Sequence, residues 1–165
     1  MAVVTERPVA HPPHQAYATI TGLFIGGLAV AGGLARLLGR DPRETGWLDL
    51  TALSAATFKV ASMITSDNVT SFLRKPFVEG EAGLGEEERP VQTGGVDQAI
   101  GELLTCSRCV GTWAAAGLAA TQVIAPRFGR LLTWSLAGAG INDLLQAGFA
   151  ALTHKANELE RAAGR

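Results

Sequence analysis

Two groups of residues in this sequence have types and spacing that could do chemistry. The first is Cys106-Ser107-Arg108-Cys109. Two thiols three residues apart can cycle between dithiol and disulfide. A helix N-terminus, a neighbouring Arg108 and the CxxC arrangement each lower a thiol pKa. The pair is also half of a tetrahedral zinc site, and His11 with His14, or His154, would supply the other half. No β-α-β pattern of the thioredoxin type surrounds it, and no second CxxC is present to relay electrons. The plain alternative is that both cysteines are small packing residues at a helix entrance.

The second group is Lys59 and Asp143, each inside an otherwise apolar segment. Ionisable residues at membrane depth mark functional sites, and a central Lys costs about 3 kcal/mol on insertion scales. The two residues pair between helices, or line a proton or ion path. No inverted repeat of the transporter kind accompanies them. There is no G-x-S-x-G elbow, Walker loop or H-E-x-x-H, so no catalytic residue is assigned.

The elements that must position these residues follow from composition. The chain has 165 residues, 18% charged and 47% apolar, with a net charge of −1 and 20 glycines. That length favours one domain. The charge balance excludes the basic face of a nucleic-acid binder. Disordered, disulfide-rich and coiled-coil classes are excluded as well. Charges crowd into a few segments and leave long uncharged stretches between them. The expected fold is therefore all-α: an integral membrane bundle of about four transmembrane helices with a long, partly helical loop.

Residues 1–15 form a Pro-interrupted lead. It does not resemble a secretory signal, because the apolar segment after it is too long and Glu6 lies beside Arg7. The helical domain spans 16–153. Its first crossing is 16–38, with Tyr17 and Arg36 at the ends and Gly22/Gly26 and Ala29/Gly33 as close-packing pairs. Pro42 turns the chain, and a second helix covers 47–66. Polar loop 67–105 follows. It contains a short interfacial helix capped by Asp67 and stopped by Pro76, then an acidic solvated stretch at Glu79, Glu81 and Glu86 to Glu88. That stretch lacks the Asp alternation of a calcium loop. Val96, Ile100, Leu103 and Leu104 have helical spacing. The third crossing is 109–126, with Trp113 as an interface anchor and Gly111, Ala115 and Ala119 on one face. A tight turn at 126–130 leads to the fourth, 131–153. A polar helical tail, 154–165, continues it.

Four crossings place both termini and the long loop on one side. Arg7, Arg74, Lys75, Arg89, Arg108, Lys155, Arg161 and Arg165 lie there, against Arg36, Arg40, Arg43, Arg127 and Arg130 opposite. The positive-inside rule favours the first group as cytoplasmic, where both cysteines would stay reduced.

Several strings occur in a familiar order: Ala56-Thr57-Phe58-Lys59, Ile64-Thr65 with Asp67, Arg74-Lys75-Pro76-Phe77, Gly101-Glu102-Leu103-Leu104-Thr105-Cys106, and Cys109-Val110-Gly111-Thr112-Trp113. They resemble the bacterial membrane-protein family catalogued as domain of unknown function 1360, over roughly residues 53–120. Ser107 and Ser62 stand where that pattern often has proline and a basic residue. The resemblance implies a small multi-helix protein of the bacterial cell membrane, with some members associated with sporulation. It also implies that Lys59, Asp67, Arg74, Pro76, Glu102 and the cysteines form one recurrent set. Asp67, Arg74 and Glu102 would then neutralise one another in a cap over the bundle entrance.

The expected function is a non-enzymatic structural or accessory subunit. Its partners are the lipid bilayer and other membrane proteins or further copies of itself. No cofactor is expected; zinc is the metal the residues admit. The alternatives are a thiol-redox or zinc protein using Cys106 and Cys109, and proton or ion translocation through Lys59 and Asp143.

Overall fold

The computed structural model describes residues 12–40, 46–80 and 87–163. The fold is all-α apart from one short ribbon. Its helices are α1 (His14–Leu37), α2 (Trp47–Ser66), α3 (Ser71–Arg74), α4 (Val96–Thr105), α5 (Ser107–Ile124) and α6 (Pro126–Ala163). A 3₁₀ turn, Asn68–Thr70, precedes α3, and strands β1 (Val78–Glu79) and β2 (Arg89–Pro90) pair antiparallel.

Local chemistry sets the helix ends. α1 closes with Gly39 at φ +64°. There Gly39 N–H donates to Arg36 O and Arg40 N–H to Ala35 O, the paired bonds of a Schellman cap that glycine adopts without steric cost. The expected tight turn at 126–130 is instead the first turn of α6. Pro126 fits there because the first helical residue needs no amide donor. A lone residue, Ala125, therefore joins α5 to α6. Gly129 makes this corner possible: a Cβ on it would lie 2.5 Å from the Gln122 backbone. The tail and the fourth apolar segment form one helix of about 57 Å, from its 38 residues at about 1.5 Å each. The ribbon departs from the helix and solvated loop expected over 67–105. Pro42, Glu81, Glu86 and His11 lie outside the described residues.

The core is narrow and built from small residues. Ala52, Ala56, Leu118 and Ala137 are buried where α2, α5 and α6 meet, flanked by Leu53, Val60, Leu132 and Leu136. Backbones come close there: a Cβ on Gly140 of α6 would lie 2.6 Å from the Ala55 carbonyl oxygen of α2. Gly111 of α5 faces Thr57 and Ala61 of α2, as its small side predicts. α1 lies outside this trio against α5, where Phe24 and Trp113 make an edge-to-face contact at 5.0 Å. Trp113 is thus a helix–helix packing residue partway along α5. The ends of α1 and α5 coincide: Tyr17 reaches Glu102 just before α5 begins, and Arg40 reaches Val123 O at 3.4 Å. Successive long helices therefore alternate in direction, and residues 64–80 and 87–109 gather at one end.

Candidate functional site

At that end the polar residues form a cap. Its centre is Arg74, the last residue of α3, whose side chain is fully buried. A buried guanidinium needs several acceptors. Arg74 Nε donates to Glu88 Oε2 at 2.7 Å and Nη2 to Glu88 Oε1 at 3.3 Å. Nη1 donates to Ile64 O at 2.7 Å, Asp67 O at 3.2 Å and Thr70 Oγ1 at 3.4 Å. One side chain therefore ties the end of α2 to the 3₁₀ turn and to the segment before β2. The carboxylate that neutralises it is Glu88, expected in a solvated loop. Asp67 contributes its backbone oxygen rather than its carboxylate. The signal in the sequence is weak: Glu88 is nearly buried, and nothing in the glutamate run marks it out.

Glu102 belongs to a different part of the cap. Its Oε2 accepts the Tyr17 hydroxyl and its Oε1 accepts Gln98 Nε2 at 2.9 Å. Gln98 Oε1 in turn accepts the Gly94 N–H at 2.9 Å. This chain fastens α1 to α4 and the loop before it. The expected mutual neutralisation of Asp67, Arg74 and Glu102 is thus two separate clusters. Tyr17, Gln98 and Glu88 complete them. Gly101 packs α4 onto the ribbon so closely that a Cβ would overlap the Phe77 carbonyl oxygen.

Lys59 and Asp143 do meet, Nζ to Oδ2 at 2.7 Å, linking α2 to α6. The Asp67 carboxylate lies 3.9 Å from the same ammonium. Asp67, expected as a helix N-cap, makes no side-chain cap bond; its carboxylate turns towards Lys59. Lys59 is the less exposed partner, at 17% against 40% for Asp143. Asp67 joins the two groups: its carboxylate faces Lys59 and its carbonyl accepts Arg74.

Cys106 and Cys109 are joined as a disulfide, with Cα atoms 5.2 Å apart. Cys106 is the N-cap of α5, and its Sγ accepts the Cys109 N–H at 3.3 Å. Cys109 is exposed in the first turn. It borders a cavity of about 190 Å³ with Tyr17, Ile20, Glu102 and Leu103. Bonded sulfurs offer no thiolate to a metal. His14 lies edge-on to Tyr17 at 6.2 Å, and His154 sits 3.4 Å from Glu158 on the projecting end of α6. Among the described residues no group of three or more His, Cys, Asp or Glu is placed to hold a metal ion.

The profile of the family described as "Protein of unknown function (DUF1360)" matches residues 52–149. That range contains Lys59, Arg74, Glu88, both cysteines and Asp143. "Sporulation protein YjcA" of Bacillus subtilis (strain 168) is 32% identical over 104 residues, covering 60% of this chain and 88% of that protein. "UPF0713 protein YngL" of the same organism is 30% identical over 107 residues, covering 61% and 77% respectively. No solved structure matches the chain.

Proposed function

The chain belongs to the DUF1360 family, and from that premise we propose a four-crossing protein of the bacterial cell membrane. In this reading α1, α2, α5 and α6 cross. The cap and both termini share one face, and the role is that of a non-enzymatic accessory subunit beside other membrane proteins. The observation that carries it is the apolar exterior of the fold, with a few polar side chains buried inside. The largest fully buried side chains are Arg74 and Thr133, while Ile25, Val30, Leu131, Leu145 and Phe149 are all more than 60% exposed. In water so much apolar surface would drive association. In lipid it is the solvent-matched face, and helices join through small residues and interior polar contacts.

Among the described residues one helix, His14–Leu37, is long and apolar enough to cross by length and composition alone. The other three long helices spend polar residues inward. Lys59 meets Asp143, and Gln122 Nε2 of α5 donates to Thr133 Oγ1 of α6 at 2.8 Å. Such residues lower a helix's average hydropathy, and pairing them reduces the cost of placing them at membrane depth.

The accessory role is supported by α1. Added Cβ atoms at Gly22, Gly26 and Gly33 would meet nothing within 4 Å. Its close-packing pairs therefore face away from this chain.

Two measurements test this reading. The protein should stay with membranes in alkaline carbonate. Single cysteines placed at residues 87 and 160, in a Cys106→Ser/Cys109→Ser background, should label from the side opposite to one at 128. Release by carbonate, or labelling of all three from one side, overturns the membrane reading. In gentle detergent the native mass should exceed that of a monomer and fall to it with Gly22→Leu/Gly26→Leu. A monomer mass in both cases overturns the accessory role.

A further inference from the structure

We propose that the Cys106–Cys109 pair is a thiol–disulfide exchange site for a peptide dithiol, with Cys109 the sulfur that the substrate engages and Cys106 the sulfur that leaves. The inference goes beyond the accessory role and does not depend on it. Three observations carry it. The sulfurs are already bonded within the first turn of α5. They differ in access: Cys109 is exposed while Cys106 is half-buried. They also differ in electrostatics. Cys106 Sγ sits at the N-cap of an 18-residue helix and accepts the Cys109 N–H, so a thiolate there meets the positive end of the helix dipole and a hydrogen-bond donor. The exposed sulfur is where a nucleophile arrives, and the stabilised sulfur is the better leaving group.

The cavity beside Cys109 fits this division. Ile20 and Leu103 give it apolar walls, and Tyr17 and Glu102 line it too. Its volume of about 190 Å³ admits a cysteine side chain of a peptide. A substrate thiolate, its proton lost to water, attacks Cys109 Sγ. The Cys106–Cys109 bond breaks, and its electron pair goes to Cys106 Sγ as a thiolate. The substrate's second thiolate then attacks the substrate sulfur of the mixed disulfide. A substrate disulfide forms, Cys109 leaves as a thiolate, and both protein thiolates take up protons as pH requires. Two electrons and two protons pass from the substrate dithiol to this chain, and the reverse sequence oxidises it again.

The experiment uses the unaltered full chain in detergent. Reduced glutathione, a monothiol with no second thiol of its own to resolve the adduct, is added to the oxidised protein for a series of short times. Acid quench, alkylation and peptide mass spectrometry then locate the adduct. The expected result is glutathione on Cys109 at least tenfold over Cys106, with the pair re-forming in oxidised glutathione. Adduct on Cys106 in equal or greater amount overturns the assignment. Failure of the pair to re-form overturns the exchange site. In the Cys109→Ser variant, Cys106 should alkylate with a pH midpoint below the ordinary thiol value of about 8.5. A midpoint at or above that value removes the leaving-group argument. Native mass and membrane retention are unaffected by either outcome, so this proposal and the accessory reading fail separately.

Discussion

Arg74 and Glu88 form a forked ion pair at the centre of the cap, with the guanidinium wholly buried and the carboxylate side chain 12% exposed. Removing one partner of such a pair strands the other charge, which costs about 3–5 kcal/mol. Arg74→Ala should therefore lower the thermal midpoint in detergent more than any other single cap change. Arg74→Lys should recover less than half of the loss, because an ammonium cannot make the fork and also reach Ile64 and Asp67. Wild-type stability in Arg74→Ala would remove the cap's structural role.

The Lys59–Asp143 contact predicts an asymmetry. Asp143→Asn leaves Lys59 with Asp67 at 3.9 Å, so some compensation remains. Lys59→Met leaves both carboxylates without their cation. Membrane abundance should fall several-fold in Lys59→Met, as a loss of about 1–2 kcal/mol does, and less in Asp143→Asn. The double variant Lys59→Met/Asp143→Leu should regain much of that abundance if the pair is structural. An ion-flux assay on the same double variant tests the translocation reading. Flux unchanged from wild type would exclude these charges from any path.

Gly140 and Gly138 are two residues apart on α6 and differ in their neighbours. A Cβ on Gly140 meets the Ala55 carbonyl at 2.6 Å, and one on Gly138 meets nothing within 4 Å. Gly140→Ala should separate α2 from α6 and cost about 1–3 kcal/mol. Gly138→Ala should be neutral or gain up to about 1 kcal/mol in helix propensity. Thermal midpoints of the two variants, side by side, check this.

Thr57 Oγ1 is buried without a hydrogen-bond partner among the described residues, at the α2 face packed on Gly111. An unsatisfied buried hydroxyl costs about 1–3 kcal/mol. Thr57→Val keeps the shape and removes that cost, so the variant should match or exceed wild-type stability. A large drop would mean that the hydroxyl has a partner in the membrane, such as an ordered water or a second chain.

How far the sequence reaches is clear from particular elements. The span expected for the second helix, 47–66, is the one observed. The apolar runs placed α1, α4 and α5 to within about two residues, because a helix's period is a local property. The turn at 126–130 was misplaced because a proline marks a helix start as readily as a break. The ribbon was missed because two-residue strands carry no period.

The sequence by itself determined the all-α class, the uncharged segments and the list of residues able to do chemistry. Only the tertiary structure decided their partners. Lys59 meets Asp143 across 84 residues, and Tyr17 meets Glu102 across 85. Glu88, not Asp67 or Glu102, neutralises Arg74. Charge type is written in each residue, but which opposite charge lies within reach depends on how α2, α3 and the ribbon converge. The same holds for Cys106 and Cys109. Their spacing permitted a disulfide, a metal site or plain packing. The start of α5 between them brings the sulfurs together and makes one a cap and the other a surface.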